Sequence, residues 1–74
     1  MEQHQERVVN EKAELDSKIA KLRIFVDGEI FKSLHRDEQF RLNTQLIFMD
    51  GYSQILGQRI GAFGSGLQVK GPAA

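Results

Sequence analysis

Few side chains in this sequence are of types and spacings that do chemistry. His4 and His35 are the two imidazoles, and they fall in different elements. Neither sits in an H-E-x-x-H or other close ligand spacing, so both read as solvated surface histidines. Ser17, Ser33 and Ser53 have no base at a spacing that implies a triad. Glu11, Glu14 and Asp16 look like paired carboxylates, but on the outer face of a helix such acids are solubilising charge. Acid–base or metal chemistry also needs a concave setting. Gly64-Ser65-Gly66 can offer backbone N–H groups to an anion, yet it lacks the full phosphate-loop pattern and its Lys-Ser/Thr. A plain flexible end is the stronger reading. These residues predict no catalysis, no metal site and no cofactor.

The cations remain. Lys18, Lys21 and Arg23 belong to the first long helical segment, and Arg59 to the last turn of the second. Taken singly, each snorkels along the surface or complements a helix dipole. Taken in an assembly, they gather. One lysine from each of two subunits makes a two-fold cationic pocket, and one arginine from each of three makes a three-fold one. Such pockets suit small symmetric phosphate ligands, onto which arginine can fork. Composition does not choose between the two readings.

Two long helices must position these groups. From Gln5 to Val26, Val8, Leu15 and Leu22 recur every seven residues, with Ile19 and Val26 in the second seam position. These steps of three and four mark a packed helix face, and Lys12 is its one polar interruption. Asp27-Gly28 ends the segment, with Gly expected as a left-handed terminator. Glu29–Leu34 reads as a short helical turn whose Ile30, Phe31 and Leu34 plug the end of the hairpin. Charged His35–Glu38 then opens the second long helix, Arg36 to Ile60. There Leu42, Leu46, Met49, Leu56 and Ile60 make one seam with a gap at Ser53. Phe40, Ile47, Phe48, Tyr52 and Ile55 add a second apolar flank. One partner helix covers one stripe, so the second flank reads as an interface between copies, with cover by the loop and tail as the alternative. Gly51 and Gly57 permit close helix approach or helix ends. The fold class is therefore all-α, a helical hairpin domain over residues 1–62, followed by a Gly-rich flexible tail over 63–74.

Size points the same way. A chain of 74 residues is marginal as a lone domain, and with no cysteine it has neither disulfides nor thiolate metal sites to staple it. Self-association is the remaining remedy. Ten Lys/Arg balance ten Asp/Glu, which argues against a duplex nucleic-acid grip. No apolar run approaches the roughly 20 residues of a membrane span, and MEQHQERVVNEK lacks the apolar stretch of a signal peptide. The absence of cysteine agrees with a cytosolic setting.

The residues also carry a pattern. Glu6-Arg7-Val8, Glu11-Lys12, Glu14-Leu15, Lys18-Ile19, Lys21-Leu22 and Phe25 are followed by Phe31, Leu34, Glu38, Leu42, Gln45, Met49, Tyr52, Leu56 and Arg59-Ile60. Over residues 6–60 this resembles the small helical proteins of crAss-like-phage relatives that act as anti-CBASS cyclic-oligonucleotide sponges. The resemblance implies a helical hairpin assembled into a compact homohexamer in the host cytoplasm. It implies no hydrolysis: cyclic dinucleotides, and cyclic trinucleotides in separate pockets, are sequestered so that the bacterial defence effector stays unactivated. It places Lys18 in the dinucleotide site, with Lys21 as the fallback, and Arg59 in the trinucleotide site.

Two departures from that pattern bear on ligand range. The family stacks an N-terminal aromatic on a base, whereas Met1–Gln5 contains no Tyr or Phe. His4 or Gln3 is the substitute, with weaker stacking than a good aromatic platform. A threonine two residues past the lysine corresponds here to Ala20, which removes a hydroxyl. The competing reading is a non-enzymatic helical adaptor that binds a protein through the apolar flank around Phe48 and Tyr52.

Overall fold

Helix α1 spans Gln3–Val26, α2 spans Glu29–Ser33 and α3 spans Arg36–Gly61 in the computed structural model, which describes residues 2–64. The long helices α1 and α3 pack against each other as an antiparallel hairpin, and α2 forms its corner against α1. The result is a rod of 49 × 22 × 14 Å. The expected flexible tail lies, beyond Gly64, outside the described residues.

The first helix starts earlier than its apolar spacing predicts. Gln5 turns its side-chain carbonyl back to accept the Glu2 backbone N–H at 3.1 Å, one arm of a capping box. Gln3 and His4 are therefore helical and do not form a loose arm. At the other end, Asp27 and Gly28 do stop the helix, but not by a left-handed turn. Gly28 is extended, with φ −96° and ψ 175°, because it already serves as the N-cap of α2. The N–H groups of Asp27 and Gly28 cover the carbonyls of Ile24 and Phe25 at 3.2 and 3.0 Å, so no αL residue is needed to satisfy that end.

The corner is stitched by polar groups. Gln39 donates its amide to the carbonyls of Lys32 and Leu34, at 3.3 and 2.9 Å. His35 caps α3: its Nδ1 accepts the Asp37 N–H at 3.0 Å, although the ring itself is exposed. Phe31 is buried and meets Phe25 edge-on, centroids 6.3 Å apart, a favoured aromatic geometry. Leu34 is half-buried, whereas Ile30 points to solvent and plugs nothing.

The two predicted seams face each other. Val8, Ile19 and Leu56 are buried between the long helices, with Leu15, Leu22, Val26, Leu42, Leu46, Met49 and Ile60 half-buried beside them. The polar interruptions of the seams also meet. Lys12 donates to Asp16 Oδ2 at 2.7 Å and to Ser53 Oγ at 3.0 Å, and Ser53 donates to Asp16 Oδ1 at 2.5 Å. A Cβ on Gly57 would stand 3.3 Å from Lys12 Cε, so the missing side chain there is what lets the lysine stem cross to its partners. Ser53 is buried and satisfied, and no buried side-chain nitrogen or oxygen among the described residues lacks a partner. A second cross-link, Arg23 Nη2 to Asp50 Oδ2 at 2.5 Å, holds the helices nearer the closed end.

This cluster has a pH signature. The Lys12 hydrogen bond, and then that of Ser53, hold the Asp16 carboxyl below its ordinary value. A carboxylate depressed in the folded state contributes stability above its unfolded pKa, and that contribution is lost as pH falls through the folded value. Thermal melts should thus drop in acid by more for the native chain than for Asp16→Asn, which starts lower at neutral pH. Parallel curves for the two would show that the cluster adds nothing.

On its outer side α3 keeps an apolar face in water. Phe40, Ile47, Phe48, Tyr52 and Ile55 retain 69, 67, 72, 44 and 51% of their accessible surface. Nothing lies within 4 Å of where a Cβ would stand on Gly51, in the middle of that face. Gly51 therefore serves no close approach among the described residues, unlike Gly57.

Candidate functional site

Helix α1 carries Lys18 and Lys21 three residues apart on one exposed flank, the spacing of surface neighbours. Arg59 stands exposed in the last turn of α3, and His4 in the first turn of α1. Lys12, Arg23, Lys32 and Arg41 are engaged in ion pairs. The side chains of Lys18, Lys21 and Arg59, like those of Arg7 and Arg36, make neither an ion pair nor a hydrogen bond among the described residues. Their positive charges are uncompensated, as an anion site requires.

One chain does not bring the four together. The antiparallel pairing sets His4 and Arg59 toward the open end of the hairpin and Lys18 and Lys21 nearer the corner. From His4 to Lys18 the rise along α1 is about 21 Å. A small cyclic ligand held by Lys18 is beyond the reach of His4 in the same copy. The described chain thus offers separate cations on an open surface and no enclosed cationic pocket.

A different concavity does exist. An open groove of about 600 Å³ runs along the outer side of α3, lined by Arg41, Thr44, Gln45, Phe48, Met49 and Tyr52. All six lining residues come from one helix, so the groove has a floor and no opposite wall. The spacing 41, 44/45, 48/49, 52 is helical and visible in the sequence, but only Phe48, Met49 and Tyr52 are apolar enough to attract notice there. Arg41 is held by Glu38, its Nε donating to Oε1 at 2.8 Å, which fixes the guanidinium at the rim.

Asp16 also changes meaning. It is the anchor of the Lys12–Ser53 contact across the hairpin, where the sequence suggests solubilising charge. Glu11 and Glu14 are exposed. Among the described residues no group of His, Cys, Asp and Glu is placed to hold a metal ion, and no helix is long and apolar enough to cross a membrane.

Comparison with known proteins adds one finding. The family model for Sequestin matches residues 2–62, which include the whole hairpin. Neither a curated protein nor a solved structure matches the chain.

Proposed function

The chain belongs to the Sequestin family, the phage anti-CBASS nucleotide sponges, and so binds cyclic oligonucleotides without cleaving them; from that premise we propose that it does so in pockets shared between copies. The match over residues 2–62 carries this reading, and the exposed, unpaired state of the cations supports it. Lys18 from each of two copies supplies the charge for a cyclic dinucleotide, with Lys21 one turn away on the same flank. Arg59, brought together around a three-fold axis, holds a cyclic trinucleotide. If His4 or Gln3 stands in for a stacking aromatic at the Lys18 site, the roughly 21 Å rise between them requires that it come from another copy. The assembly is a homohexamer, and it works in the host cytoplasm, where it keeps the defence effector from its activator.

Binding in such a site needs no strained geometry. Two lysines facing two phosphates form charge-assisted hydrogen bonds, and the gathering of like charges is relieved only when the anion arrives. Ligand binding should therefore stabilise the assembly strongly, in proportion to occupancy.

The test is retention without turnover. Purified protein is incubated with cyclic dinucleotides and trinucleotides, melted, then heat-denatured, and the supernatant is assayed. A raised melting temperature with intact nucleotide recovered supports the sponge. Failure of every cyclic nucleotide to bind would sink it in favour of an adaptor, and a linear product would mean an enzyme. Within the same assay, Lys18→Ala should weaken dinucleotide binding and Arg59→Ala trinucleotide binding. Losing a charged hydrogen bond is worth roughly 1.5–3 kcal/mol, about 10- to 100-fold per site. Light scattering should show both variants still assembled; if both fall apart, the two residues are structural.

A further inference from the structure

The exposed face of α3 has an internal symmetry. Phe40, Thr44, Ile47, Gly51, Ile55 and Gln58, and then Ala62 at the C-cap of the helix, follow one another in steps of four, three, four, four, three and four, with Thr44 and Ala62 half-buried. That is the spacing of a packed helical seam, and it lies on the side of α3 away from α1, where Phe40, Ile47 and Ile55 keep half or more of their surface in water. The sequence of steps reads the same in both directions from Gly51. Ile47 and Ile55 are equidistant from it, as are Thr44 and Gln58, and Phe40 and Ala62. None of the seven is charged, in a chain whose residues are 27% charged. A glycine is the poorest helix former after proline, yet this one sits inside α3 with open space around it.

We propose that this face is the contact between α3 and α3 of a second copy, antiparallel, with the two-fold axis passing at Gly51. A two-fold contact must be self-complementary, each residue meeting its mirror position on the partner. An antiparallel pair centred on Gly51 fulfils this along the whole seam. Isoleucine meets isoleucine on both sides of the centre, the polar Thr44 meets the polar Gln58, and the large Phe40 meets the small Ala62. At the centre the two backbones face each other without side chains, which permits the closest approach there. A parallel pair would set Phe40 on Phe40 and leave no such large-to-small match.

The occupied area fits a second copy. Taking about 200 Å² per large apolar side chain, the five exposed residues of this face offer roughly 600 Å², against ~800 Å² per partner in a standard interface. Phe48 and Tyr52 flank the seam, so the partner helix also supplies a wall toward the groove lined by Arg41, Gln45 and Tyr52. This inference rests on the assembly assumed for the sponge and goes beyond it by fixing one interface, its direction and its axis.

Because the chain has no cysteine, single engineered thiols report the contact. Gly51→Cys, oxidised in the assembled protein, should form a covalent dimer nearly quantitatively, since facing seam positions fall within the 4.4–6.8 Å Cα separation of a disulfide. Ile47→Cys alone should not, whereas Ile47→Cys combined with Ile55→Cys should. Asn43→Cys, off the seam, should stay monomeric on a non-reducing gel. Gly51→Leu, which fills the closest approach, should break the contact as read by light scattering. Strong cross-linking of Ile47→Cys alone would mean a parallel pair and overturn the proposal. So would an intact oligomer in which Gly51→Cys stays uncross-linked, and that result would leave the sponge reading standing. A native chain that is monomeric at micromolar concentration would overturn both the interface and the shared pockets.

Discussion

Replacing Leu56 by alanine should destabilise the protein more than any other single truncation. Leu56 is 0% exposed, the one fully buried side chain among the described residues, and only Val8, Ile19 and Phe31 are otherwise buried among the apolar ones. Truncating a buried leucine typically costs about 2–5 kcal/mol, from lost transfer energy and the cavity left behind. A core this thin has no second layer to collapse into the gap. For a domain of roughly 60–100 residues each kcal/mol moves the melting temperature by about 4–8 °C, so a drop of more than about 10 °C is expected in circular dichroism melts. Leu56→Met, which nearly conserves volume, should cost less than about 1.5 kcal/mol. Melts at several protein concentrations separate the hairpin core from the assembly, because subunit association makes the midpoint concentration-dependent. A Leu56→Ala midpoint within a few degrees of the native one would place the main store of stability outside the hairpin core.

The largest functional effect is expected far from any cation. Phe48→Glu together with Ile55→Glu puts acid on the apolar outer face of α3, where both side chains are now more than half in solvent. In a lone chain such surface changes are nearly neutral. In an assembly they bury two unpaired carboxylates per copy, which proteins do not tolerate without partners. Light scattering should therefore show loss of the oligomer, and retention of cyclic nucleotides should fall by more than about 100-fold, although Lys18 and Arg59 are untouched. A variant that stays assembled would show that this face is free for another partner. A monomer that still retains the ligand would show that one copy suffices, and the shared pocket would be lost as an explanation.

Much of the hairpin was legible because its signals are local. The seven-residue recurrence of Val8, Leu15 and Leu22 fixes a helix face without reference to the rest of the chain, and so does the run from Leu42 to Ile60. Asp37 and Glu38 mark the start of α3 through the dipole alone. What the sequence does not contain is the offset between the two faces. Lys12 and Ser53 stand out as defects in their own seams, yet nothing in either segment says that they are opposite each other. Asp16, one turn from Lys12, looks like surface charge until the hairpin closes around Ser53. Gln39 is missed for the same reason, since its partners Lys32 and Leu34 are carbonyls freed by a corner whose path the sequence does not give. At Gly28 the residue type suggested a left-handed turn, and the immediate start of α2 made an extended one sufficient.

The candidate site was less legible than the fold. Lys18, Lys21, Arg59 and His4 come from pattern resemblance, and in the proposed shared pockets their arrangement depends on neighbours that a single chain does not hold. The groove on α3 needed the structure, because Arg41, Thr44 and Gln45 look like ordinary helix surface between apolar positions.

The cluster of Lys12, Asp16, Ser53 and Gly57 has a consequence for how this sequence can diverge. No one of its members is free to drift alone. A larger residue at 57 displaces the lysine stem, an apolar residue at 53 removes the hydroxyl that links ammonium and carboxylate across the hairpin, and loss of the acid leaves Lys12 with Ser53 alone. Inheritance should therefore move these four positions as a block, exchanged together for an all-apolar set or kept together. The exposed acids Glu11 and Glu14 can vary freely around them.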